Sequence, residues 1–135
     1  MKKKIMTLVS VVLMAMMICG TQVFAVRETI VVIQNQAWNQ RPSISRSGHY
    51  SYGTAQCYAV YPTDSSTDHF HQVRVRIANG YSTNQIISDT HYLSETGSAI
   101  SIPIDEGAIH LKSVSFGFSG NSGQSAYADV YYTGN

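Results

Sequence analysis

Cysteine is nearly absent from this 135-residue chain, which holds only Cys19 and Cys57. Two cysteines exclude the paired spacings of a metal finger and any framework of several disulfides. Long runs of Leu, Lys, Glu and Ala are missing after the N-terminal segment, so no helix is available to cover a parallel sheet. No glycine-rich loop leads into a lysine to cradle phosphate, and the nucleophile elbow of the α/β-hydrolases is absent. Charged residues are also scarce, at 13% of the chain.

What is present begins with an export signal. Lys2, Lys3 and Lys4 precede a largely apolar run from Ile5 to Cys19, broken only by Thr7 and Ser10. Val23 and Ala25 then offer small residues at the two positions a signal peptidase reads. Residues 1–25 are therefore expected to be a secretory signal peptide cleaved after Ala25, and the protein to be secreted and extracellular. The apolar run is shorter than the roughly 20 residues of a spanning helix, so no stable membrane anchor is expected after cleavage. Processing removes three lysines and Cys19. Residues 26–135 keep six basic residues against eight acidic ones, a net charge of about −2 with histidines neutral. That balance excludes the basic footprint of a nucleic-acid binder and the cationic pattern of a membrane-lytic peptide. Cys57, alone in the mature part, has no internal disulfide partner and reads as a buried small hydrophobe.

Residues 26–135 read as one all-β domain. Tyr, Val, Ile, Thr and Ser dominate, and Gly, Asn, Asp and Pro punctuate at short intervals. Candidate strands are 28–34, 49–61, 69–78, 81–93, 99–104, 109–119 and 126–133, with 35–48 a loop or short edge element. These predict an antiparallel β-sandwich, Greek-key or jelly-roll-like, of about 6–8 strands. Asn79-Gly80 predicts a two-residue hairpin turn with positive φ at both positions. That turn pairs Ala78 with Tyr81, and so places His71 opposite Ser88, His69 opposite Thr90 and Asp68 opposite His91. It also assigns Ile86 to the core face, with Val73, Val75 and Ile77, and Ile87 to the opposite face with Arg74 and Arg76.

Five histidines lie in the mature part: His49, His69, His71, His91 and His110. His69 and His71, two apart on a strand, share a face, a geometry able to chelate a metal such as zinc. The expected register puts His91 on the other face, so a full ligand set is not supported and no cofactor is assigned. The acidic residues mostly fall in turns and strand ends, and no pair stands out for glycoside hydrolysis.

All nine tyrosines lie in the mature part. Tyr50, Tyr52 and Tyr58 share one parity of the long strand, and Tyr127 and Tyr131 flank Asp129 on one face of the last. Flat rings with a hydrogen-bonding tip suit stacking against sugars or partner proteins. These five are the candidate binding residues.

Two short resemblances complete the reading. Gly120-Asn121-Ser122-Gly123 resembles the nucleophile loop of chymotrypsin-like serine proteases, but only thirteen residues follow Ser122 and no matching histidine loop exists. An ordinary turn accounts for it. In size class, in lacking a disulfide framework and in Val130-Tyr131-Tyr132, the chain resembles the lactococcin 972 family of β-sandwich bacteriocins, although it is longer. The leading expectation is a non-enzymatic extracellular binding module with a protein or glycan partner. The alternatives are a bacteriocin-like or toxin-like factor, and a small hydrolase built around His69 and His71.

Overall fold

Period-two alternation becomes strand after strand in the computed structural model, which describes residues 23–32, 37–46, 48, 50–63, 71–120 and 125–135. Among these residues ten strands follow one another: β1 (Ala25–Val32), β2 (Asn39–Gln40), β3 (Ile44–Ser45), β4 (Tyr52–Pro62) and β5 (Gln72–Asn79), then β6 (Ser82–Ile86), β7 (His91–Ser94), β8 (Ile100–Pro103), β9 (Ser113–Gly120) and β10 (Ala126–Thr133). A 3-10 turn, Glu106–Ala108, sits between β8 and β9.

The strands form two antiparallel sheets. One has the order β1-β10-β4-β8. In the other, β9 pairs with β5, while β2 and β3 both pair with β9, and β6 and β7 both pair with β5. The ten strands among the described residues outnumber the expected 6–8, because two long strands each meet two short partners in place of one.

Alternate residues of each sheet point into one shared core. β9 contributes Val114, Phe116 and Phe118, and β10 contributes Ala126, Ala128, Val130 and Tyr132, all essentially inaccessible to water. Tyr132 carries the contact between the sheets, with its ring centroid 4.9 Å from that of Phe116 and 5.4 Å from that of Phe118. Each such ring contributes roughly 2–3 kcal/mol by burial alone. The sheets approach so closely at Gly53 that a Cβ there would lie 2.7 Å from Ile77 Cδ1 and 2.9 Å from Phe116 Cζ. Cys57 is fully buried on the same inward row of β4.

Two local features depart from the expected register. The hairpin after β5 turns on Gly80 and Tyr81, so Asn79, and not Ala78, closes the ladder, opposite Ser82. The Asn79 side-chain oxygen accepts the Tyr81 N–H at 2.9 Å, an Asx turn, and no glycine has positive φ among the described residues. The return strand then breaks. Ile87 N–H donates to Ile77 O and Ser88 Oγ accepts the Ile77 N–H, so the chain bends before β7 begins. The register consequently places His91 opposite Val75 and Ser94 opposite Gln72. His91 therefore shares the side of Val73 and Val75, contrary to the expectation from a simple hairpin. Ile87, and not Ile86, is the buried residue of the pair.

Candidate functional site

The outer side of the β1-β10-β4-β8 sheet gathers most of the tyrosines. Along β10, Ala126, Ala128, Val130 and Tyr132 point inward, so Tyr127, Asp129 and Tyr131 point out. Tyr52 and Tyr58 stand on the same outer side of β4. Tyr50 lies just before β4, exposed, and its ring is tilted against that of Tyr52 at a centroid distance of 5.6 Å. The five candidate tyrosines are thus on or beside one surface.

A bulge adds a sixth. Asp129 faces Ala59 but Val130 faces Cys57, so β4 carries one extra residue, Tyr58, against β10. The extra residue reverses the parity that follows, and Tyr61 emerges on the outer side opposite Tyr127. Tyr127 in turn lies opposite Val31 of β1. Val31, Tyr127 and Tyr61 therefore make a row across three strands, exposed by 41%, 43% and 53%. Unbroken alternation from Tyr58 would put Tyr61 on the other face; a mixed Cys-Tyr-Ala-Val stretch does not announce a bulge.

The charge on this surface is internally balanced. Arg27 donates through Nε and Nη2 to the two carboxylate oxygens of Asp129, at 3.3 and 3.0 Å. Its guanidinium carbon also sits 3.9 Å from the centroid of the Tyr58 ring. The bond to Asp129 raises the Arg27 pKa above its ordinary value, outweighing the opposing effect of desolvation. The result is an aromatic surface with hydroxyl tips and no net charge at its centre.

Of the two histidines expected to share a face, His69 lies outside the described residues. His71 is exposed and its Nδ1 is bonded to Glu95. Among the described residues no group of three His, Cys, Asp or Glu side chains is arranged to hold a metal ion. His110 and Asp105 line a small open groove of about 360 Å³ beside the 3-10 turn, together with Ile87 and Leu111.

The other sheet presents a different outer surface, which the sequence reading did not single out. The outward residues of β9 are Ser113, Ser115, Gly117 and Ser119, all small. Trp38 and Gln40 lie over them. At Gly117 a Cβ would stand 2.7 Å from Gln40 Oε1 and 3.4 Å from Trp38 Cε3, so glycine lets both rest close on the sheet. Arg74 and Arg76, outward neighbours on β5, stack on the same indole, with guanidinium carbons 5.0 and 4.0 Å from its centroid. A hydrophobic pattern search passes over such a surface, because its members come from three strands and one loop.

Comparison with known proteins gives no match: no family model fits the chain, and no curated protein or solved structure is significantly similar to it.

Proposed function

We propose that the chain is an exported, non-enzymatic binding module that holds a saccharide partner on its tyrosine surface. The observation that carries this reading is the exposed row Val31–Tyr127–Tyr61, continued by Tyr131, Tyr58 and Tyr52 on the same outer side of one sheet. Sugar rings offer flat C–H faces to aromatic rings and hydroxyls to tyrosine tips, and an internally neutral surface suits an uncharged chain. A rigid sheet holds the rings in place before binding, so little side-chain ordering is needed.

The strand order supports a jelly-roll β-sandwich. If the short in-line partners β2 and β3 count as one strand and β6 and β7 as another, eight strands remain. They divide as first, eighth, third and sixth in one sheet, and second, seventh, fourth and fifth in the other, the order of two nested Greek keys. Many sugar-binding domains use that architecture, which is a likeness of fold and not of site. Cleavage after Ala25 would leave Val26–Val32 of β1 to pair along β10, and would remove Phe24, whose carbonyl accepts the Gly134 N–H at 3.3 Å.

The test is binding of protein beginning at Val26 to an array of neutral and acidic oligosaccharides. Saturable binding that weakens about tenfold or more in both Tyr61→Ala and Tyr127→Ala is the expected result. No glycan bound, or binding by both variants as tight as by wild type, removes the reading.

A further inference from the structure

Of the five arginines in the chain, three are fully accounted for by the fold. Arg27 is paired with Asp129. Arg41 grips Glu28 with both ends of its fork, at 2.7 and 3.0 Å. Arg46 is buried and donates to the backbone carbonyls of Tyr50, Ile109, Leu111, Gly134 and Asn135. Arg74 and Arg76 differ. Among the described residues neither has a carboxylate partner, and their one side-chain hydrogen bond is from Arg74 Nη2 to Ser119 Oγ at 2.9 Å. The Nε atoms of both are buried with no acceptor among the described residues.

This arrangement is costly in physical terms. Each buried donor without an acceptor costs about 1–3 kcal/mol. Two like charges side by side add repulsion, and Arg74 is only 9% exposed. Burial and the neighbouring Arg74 charge both hold the Arg76 pKa below its ordinary value. The indole of Trp38 offsets part of the cost through its ring face, but it supplies no negative charge. Apart from the Arg74–Ser119 bond, the Nη ends of the two guanidinium groups have no acceptor among the described residues, and such ends are complementary to an oxyanion, which they bind with charge-assisted hydrogen bonds.

We propose that Trp38, Arg74 and Arg76 form an oxyanion site, which takes a sulfate or carboxylate group against the outer side of β5 and β9. The site stands on the opposite sheet from the tyrosine surface and does not depend on it. Two sources present this chemistry, the free anion and the same group carried on an acidic saccharide.

Trp38 is the single tryptophan of the chain, so its fluorescence reports on this site alone. The experiment titrates the protein with sodium sulfate at constant ionic strength, then with a sulfated oligosaccharide and its unsulfated counterpart. The expected result is a saturable change with sulfate or the sulfated sugar, absent with the unsulfated one. In Arg76→Gln the midpoint should rise about tenfold or more. In Arg76→Lys, which keeps charge but loses the fork, it should rise several-fold, and this variant decides if the Gln form is misfolded by circular dichroism. A midpoint for the sulfated sugar well below that of free sulfate assigns the group to a saccharide; equal midpoints assign it to the free anion. No saturable change with any probe, or equal midpoints in wild type and folded Arg76 variants, overturns the proposal.

Discussion

Burial governs the titration of Cys57. Its side chain has no exposed surface, and desolvation pushes the thiol up to about 11. A thiol that holds its proton is a poor nucleophile, so Cys57 should resist a disulfide reagent at pH 8 until the protein unfolds. Rapid labelling of folded protein would contradict its position on the inward row of β4. The same shift has a stability consequence. The folded pKa lies above the ordinary value of 9.0, so this contribution is complete below about pH 9 and is lost as pH rises through about 11. Denaturant melts of Cys57→Ala should show a shallower alkaline decline than wild type. Tyr132, also raised by burial and by Glu28, leaves part of that decline in place. Glu28 works at the other end of the scale. Burial acts to raise its pKa, but hydrogen bonds from Arg41 and from Tyr132 Oη (2.7 Å) outweigh this and lower it below 4.5. Its contribution is therefore present above about pH 4.5 and is lost as pH falls further. Glu28→Gln should cost about 1–2 kcal/mol at pH 7 and much less at pH 3, measured by urea unfolding at both. These residues were only partly legible. Cys57 reads as a buried hydrophobe from its strand, but the Glu28–Arg41–Tyr132 contact joins positions far apart in sequence that no local pattern connects.

Strands and turns show where alternation succeeds and where it fails. Val114, Phe116 and Phe118 are spaced by two and are all buried, as are Ile102 and Ile104, because an uninterrupted strand keeps its parity. A single inserted residue defeats the rule. The bulge at Tyr58 carries Tyr61 to the outer side, and the bend at Ile87 and Ser88 moves His91 to the other face from that expected. Asn79-Gly80 did mark a hairpin, but the Asn79 side chain caps the turn and shifts it by one residue. The next turn holds a further feature. Thr96 has φ of 56°, an uncomfortable conformation for a β-branched residue. Thr96→Gly should raise stability by about 1 kcal/mol, read as a higher urea midpoint with an unchanged slope. A lower midpoint would show that the Thr96 side chain makes a contact worth more than the strain.

The whole molecule was the most legible in outline and the least in detail. Strand chemistry, short turns and missing helical runs are enough to reach an all-β domain, and the structure has two antiparallel sheets around one core. Which strand neighbours which follows from long-range pairing, and the sequence alone holds no marker of it. The two outer surfaces differ for the same reason. Sheet order assembles tyrosines from β4 and β10 with Val31 on one side, and Trp38 with Arg74 and Arg76 on the other. The Tyr50–Tyr52–Tyr58 and Tyr127–Asp129–Tyr131 spacings each marked part of the first without joining them, and nothing in the spacing hinted at the second. The tyrosine surface is the central claim, and amide chemical-shift mapping with the strongest-binding neutral oligosaccharide tests it most directly. The account expects saturable shifts confined to outward residues of β1, β10 and β4, centred on Val31, Tyr61 and Tyr127. Shifts centred on β5 and β9, or no saturable shift at all, would contradict it.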